Sequence, residues 1–120
     1  MHVTNRLTFP LAEDARGSLV AVEFSAVPFA VRRVFAVRGP SGGAVRGEHV
    51  VPCAQLIVLT SGRATVRVGD DADSLGPEVE LEVAGHGVEL ERGKYVWYRL
   101  ADDSSSVLVF AEDPYAGASE

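Results

Sequence analysis

The stretch Arg46-Gly47-Glu48-His49-Val50-Val51-Pro52-Cys53-Ala54-Gln55, running on through Leu56-Ile57-Val58-Leu59-Thr60-Ser61 to Gly62, decides how the chain is read. A short polar hook with one histidine enters an apolar strand, Gln55 to Thr60, and the strand ends in a Ser-Gly turn. Beyond that turn, Ala64, Val66 and Val68 alternate with Arg63, Thr65 and Arg67, which is the period of a half-buried strand.

The same pattern extends in both directions. Downstream, Gly69 to Gly76 is an acidic loop, and Glu78 to Val83 alternates Glu with Val and Leu. Gly85-His86-Gly87 reads as a turn, and Val88 to Glu91 resumes the alternation. Gly93-Lys94 leads into a strand from Tyr95 to Leu100, Asp102 to Ser106 turns the chain, and Val107 to Phe110 is a last apolar strand. Upstream, Val3 to Phe9, Ser18 to Phe24 and Val31 to Val37 read as strands. They are separated by a polar turn at Ala12 to Gly17 and a bend at Val27-Pro28-Phe29, and a loop, Gly39 to Gly43, follows. No window carries apolar residues at helical spacing with caps. About nine or ten short strands without an internal repeat predict an all-β chain that closes on itself or doubles its sheet to avoid open edges.

A chain of 120 residues fits one domain, residues 1–120, with a small polar tail from Glu112 onward expected to fray. The net charge of −6 disfavours nucleic acid and anionic membrane as partners, since both are bound by clustered Lys and Arg. It leaves room for a local basic pocket holding one anionic ligand. The single cysteine, Cys53, can form no disulfide within the chain and suits a reducing compartment; it reads as a small buried residue rather than a reactive thiol. No apolar leader and no membrane-length run is present, so the expected location is the cytoplasm.

Gly47, His49, Val51, Gln55 and Gly62 fall on the spacing of the first cupin motif, in which a Gly, a His-x-His pair, a Glu and a second Gly follow one another. Val51 and Gln55 stand where two metal ligands would be. The expected fold is therefore a cupin-type double-sheet jelly-roll barrel. The chain more closely resembles the WxcM-like family of sugar nucleotide 3,4-ketoisomerases, of the FdtA and QdtA type. The resemblance rests on Asp14-Ala15-Arg16-Gly17 through Glu23, on Val27-Pro28-Phe29 with Arg33-Val34-Phe35, and on Arg46-Gly47-Glu48-His49. Gln55, Gly62 and Val96-Trp97 complete it. The departures fall on the chemistry. The family's His-x-His-Lys is met by His49-Val50-Val51-Pro52, its strand tyrosine by Phe35 and Ala36, and the histidine after its tryptophan by Tyr98.

The resemblance implies a homodimer, catalysis without a metal or other cofactor, and a small-molecule substrate linked to a nucleotide. Proton transfer beside a carbonyl needs a group that titrates near neutrality, and His49 is the candidate base. Tyr98 is the candidate partner, placed to donate to a carbonyl oxygen if its strand faces inward. Arg46 and Arg33 are candidates for substrate binding, Arg46 for phosphates through its planar guanidinium. Gln55 is a further binding candidate, and Trp97 could stack on a sugar or base, the alternative being a core aromatic. Metal ligation is disfavoured: His2 is at the terminus, His86 is in a turn, and Asp70, Asp71 and Asp73 lack the ordered spacing of a calcium loop.

Two functions remain open. One is a metal-free isomerase acting by acid–base proton transfer on a sugar nucleotide or a natural-product intermediate, including a repurposed epimerase or cyclase of secondary metabolism. The other is a non-catalytic barrel that binds a sugar nucleotide or metabolite. A metal-dependent oxygenase is disfavoured by the missing ligands.

Overall fold

The computed structural model describes residues 5–39 and 45–113. His2, the loop positions 40–43 and the tail beyond Asp113 lie outside the described residues. Eleven strands follow one another among them: β1 (Asn5–Thr8), β2 (Leu11–Asp14), β3 (Gly17–Val20), β4 (Arg33–Arg38), β5 (Val45–Val50), β6 (Gln55–Ser61), β7 (Ala64–Gly69), β8 (Val79–Leu81), β9 (His86–Leu90), β10 (Tyr95–Leu100) and β11 (Ser106–Ala111). The one helical element described is a 3-10 turn, Phe24–Ala26.

The strands form a five-stranded sheet in the order β1-β9-β6-β11-β4, a four-stranded sheet in the order β5-β10-β7-β8, and the separate hairpin β2-β3. Every pairing between strands is antiparallel. The two larger sheets face each other across a core that includes Ile57, Leu59, Val88, Leu90, Val107 and Val109 from the first, and Ala64, Val66, Val68, Leu81, Val96, Tyr98 and Leu100 from the second. This is the all-β double-sheet barrel expected from the alternation.

The continuous apolar run of β6 has a physical cause. Ile57 and Leu59 point into the barrel, whereas Leu56 and Val58 point outward into a second cluster with Phe9, Val27 and Phe110. Val20, Val22, Phe29 and Val31 pack against that outer cluster, so the N-terminal segment covers the back of the five-stranded sheet. A strand covered on both faces loses its polar alternation. The outer face of the four-stranded sheet is polar, with Thr65, Arg67, Glu80 and Arg99 on it, and its strands alternate.

Several boundaries differ from the sequence reading. The polar hook at Val45–Val50 is a strand, because it pairs along β10. The expected turn at 12–17 is mostly β2, since Leu11–Asp14 pairs with Gly17–Val20 and only residues 15–16 turn. His86 and Gly87 belong to β9, paired with Thr8 and Leu7 of β1, and the turn lies before them. The strand expected over 18–24 stops at Val20, and Phe24 opens the 3-10 turn.

Candidate functional site

The strand β5 and its pairing with β10 create the site. The register runs Tyr95↔Val50, Val96↔His49, then Trp97↔Gly47 and Tyr98↔Arg46, so one residue of β5 is extra. That residue is Glu48, with φ 59°, next to Gly47 with φ 79°. Such a bulge re-aims the side chains that follow it. In an unbroken strand, Arg46 and His49, three positions apart, would point to opposite faces. Here Arg46 lies opposite Tyr98 and His49 opposite Val96, and directly paired residues share a face. Val96 and Tyr98 are each 1% exposed in the barrel core, so Arg46 and His49 also face inward.

Gly47 is required at the bulge. A Cβ there would lie 2.9 Å from the Val96 carbonyl oxygen and 3.3 Å from Val96 Cγ1, in a backbone conformation that favours glycine. The His49 ring is fixed by its own strand: Nδ1 lies 3.0 Å from the Val50 carbonyl oxygen. A carbonyl can only accept, so Nδ1 carries the proton and, in the neutral ring, Nε2 carries the lone pair of a base.

The facing sheet supplies the second set. Ala111 of β11 pairs with Arg33 on one side and Gln55 on the other, and Gln55 pairs with Leu90. Gln55 alternates with Ile57 and Leu59, and Arg33 with Phe35 and Val37, so this row faces the core. The Arg33 guanidinium carbon lies 5.0 Å from the Phe35 ring centroid, a stacking that holds the side chain along the inner wall. Gln55 is 1% exposed, and its Nε2 has no hydrogen-bond partner among the described residues. A buried amide without a partner costs stability, typically about 1–3 kcal/mol, which singles Gln55 out among the buried polar side chains of the wall.

The fold thus brings Arg33, Arg46, His49, Gln55 and Tyr98 to the inner walls. Trp97 is set apart on the outer face of β10, with the Arg99 guanidinium carbon 5.5 Å from its ring centroid. Val51, where the cupin motif has its second histidine, is fully buried among core residues, and Phe35, where the family has tyrosine, packs against the same core. Ala36 points outward. Among the described residues no three His, Cys, Asp or Glu side chains converge. The donor set at the motif positions, His49, Val51, Gln55 and Tyr98, does not fit a histidine-and-carboxylate metal site.

One rim residue was not singled out in the sequence. The Val51 N–H donates to the Lys94 carbonyl at 2.8 Å, so Lys94 stands across from Val51. Its Nζ donates to Asp70 Oδ1 at 2.9 Å, and that bond, with the Asp70 charge, raises the Lys94 pKa above its ordinary value. Nothing local to Gly93-Lys94-Tyr95 signals this, because the neighbours come from β5 and β7.

No curated protein sequence is matched. The fold is shared with the TDP-quinovose 3,4-ketoisomerase WlaRB of Campylobacter jejuni, at 23% identity over 98% of this chain and 91% of that one, with a TM-score of 0.79. It is shared also with the sugar 3,4-ketoisomerase QdtA of Thermoanaerobacterium thermosaccharolyticum, solved with TDP, at 20% identity over 93% and 82% of the two chains, TM-score 0.79. ChmJ, a 3'-monoepimerase of Streptomyces bikiniensis solved with dTDP-quinovose, is similar at 18% identity over 94% of this chain and 65% of that one, TM-score 0.73. The family described as FdtA: WxcM-like, C-terminal is matched over residues 2–119, nearly the full chain, and to that family this chain belongs.

Proposed function

We propose that the chain is a sugar nucleotide isomerase that moves a carbonyl between adjacent carbons of a nucleotide-linked keto-deoxysugar by acid–base catalysis. The observation that carries the reading is the bulge at Gly47-Glu48, which turns His49, with its lone pair on Nε2, onto the same inner wall as Arg46 and Tyr98. Nε2 of His49 removes the proton from the carbon that bears the hydroxyl. The C–H electron pair becomes the C=C bond of an enediol, and charge moves onto the former carbonyl oxygen. The buried Gln55 amide and the guanidinium groups are donors for that oxygen and for the phosphates. Tyr98, a phenol that both accepts and donates, passes the hydroxyl proton from one oxygen to the other. The imidazolium then returns its proton to the second carbon. Atoms balance: one hydrogen moves between carbons and one between oxygens.

The same membership and the single cysteine support a cytoplasmic homodimer built from residues 1–120 as one domain. Incubation with thymidine-diphospho-4-keto-6-deoxy sugars in D₂O, followed by proton NMR, tests the reaction. Exchange beside the carbonyl that disappears in His49→Ala is expected. Tight binding with no exchange in the unaltered protein sinks the reading. It would leave the second one, a non-catalytic sugar nucleotide binder, which the burial of Val51 in place of the family's second histidine favours.

A further inference from the structure

The pairing that builds the site runs one residue past the end of β10. Tyr95 is paired with Val50 on one side and with Gly69 on the other. One position earlier, the Lys94 carbonyl accepts the Val51 N–H at 2.8 Å, and Lys94 Nζ donates to Asp70 Oδ1 at 2.9 Å. Val51, Lys94 and Asp70 therefore form a row across the strand ends, next to the row of His49, Val96 and Val68. Residues paired across strands share a face. Val51 is fully buried in the barrel core, so this is the inner face, and Lys94 continues the inward alternation of Val96 and Tyr98. The Lys94 side chain is 35% exposed and that of Asp70 66% exposed, which sets the pair at the rim. Lys94 stands two residues from Val96, about 7 Å along the strand. It lies beside Val51 and Pro52, the positions at which the family's His-x-His-Lys has its second histidine and its lysine. The cation missing from the β5 side of this row is present from the β10 side.

We infer that Lys94 is a substrate-binding residue that takes a phosphate oxygen of the nucleotide diphosphate at the rim, and that Asp70 holds its ammonium until the anion replaces the carboxylate. The inference rests on the sugar nucleotide reading above and adds the residue that anchors the charged half of the substrate. Charge costs far more to bury than hydroxyls do, so the diphosphate belongs at the wet rim and the sugar beside His49. A compact ammonium on a flexible stem can turn from one anion to another, which a planar guanidinium in a fixed fork does less readily. An exposed Lys–Asp pair contributes little to stability, so exchanging carboxylate for phosphate keeps an ion pair and gives up little. The Asp70 carboxylate, left beside the phosphate, works against its binding. The two partners of one ion pair therefore act on the ligand with opposite signs.

The test titrates the full chain with TDP in a calorimeter and follows turnover of TDP-4-keto-6-deoxyglucose. Lys94→Gln should weaken TDP binding about tenfold and raise KM in step, with kcat retained. Lys94→Arg, which keeps the charge, should recover most of the affinity. Asp70→Asn should tighten TDP binding about two- to fivefold. TDP binding that is unchanged in Lys94→Gln, or unchanged or weaker in Asp70→Asn, makes the pair a tether of the rim and overturns the inference while leaving the isomerase reading intact. A fall in kcat at constant KM in Lys94→Gln overturns it too, since Lys94 would then act at the sugar. Failure of the unaltered chain to bind either TDP or the keto-sugar nucleotide overturns both.

Discussion

At the end of the barrel where β6 turns into β7, the inner positions are Leu59, Ala64, Leu81, Leu100 and Val107, none more than 1% exposed. At the other end, where β5 crosses to β6, the same inward alternation delivers Arg33, His49 and Gln55, with Arg46 and Tyr98 one step deeper. At the first end the turns satisfy their polar groups among themselves. Ser105 Oγ accepts from the Arg63 N–H at 3.0 Å and donates to Asp102 Oδ1 at 3.0 Å. At the second end Gln55 Nε2 has no hydrogen-bond partner among the described residues. The difference separates what holds the fold from what the fold holds. An apolar row stabilises the barrel by burial alone, whereas a polar inner row carries a desolvation cost that hydrogen bonds must offset.

Four substitutions or conditions break or sharpen that contrast. The largest effect belongs to His49. Its replacement by Gln removes the base while keeping a hydrogen-bonding side chain, and turnover should fall about 10²- to 10⁴-fold. The thermal midpoint should stay near that of the unaltered protein. A variant that melts early and keeps its residual specific rate would make His49 a structural residue.

Leu100→Ala acts at the opposite end. Deleting a fully buried side chain should cost about 2–5 kcal/mol in denaturant unfolding, with turnover per folded molecule retained. Loss of turnover without loss of stability would mean that the two ends are not separable.

Gly47→Ala tests the bulge that joins them. A residue with a Cβ is strained at φ 79° by about 1–3 kcal/mol and also meets the Val96 carbonyl. Because the bulge aims Arg46 and His49 together, the loss of turnover should exceed what the loss of folded protein explains. Equal losses in the two assays would remove the bulge from the account of the site.

The smallest effect is at the Asp102 turn. The Ser104 and Ser105 hydroxyls hold its carboxyl below the ordinary value of 3.8, with the Ser104 N–H helping. A depressed carboxyl contributes stability that is complete above its unfolded value and lost as the pH falls through the folded one. Asp102→Asn should therefore flatten the acid limb of the stability curve below pH 3.8 and leave turnover at neutral pH alone. An unchanged acid limb would show that this exposed turn adds nothing measurable.

Much of the fold was legible in the chain itself. The alternation of Ala64, Val66 and Val68, and of Val79 and Leu81, reports a wet face and a dry face, and strand periodicity is a local property. Gly47, His49, Gln55 and Gly62 carried the barrel type through their spacing. Boundaries were missed where pairing overrode composition. The polar Val45–Val50 is a strand because β10 lies beside it, and Leu11–Asp14 is one because Gly17–Val20 folds back on it.

The residue types of the site, one imidazole, two guanidiniums, an amide and a phenol, were determined by the sequence alone, as was the loss of the paired histidine at Val51. Which of them meet was decided by tertiary structure. The facing of a strand side chain has a period of two residues, so a one-residue shift in register reverses it. The extra residue at Glu48 is such a shift: it brings Arg46 beside His49, and the pairing of Tyr98 with Arg46 turns Trp97 to the outside. That register is set by contacts between segments about fifty positions apart, and no local reading of either strand contains it.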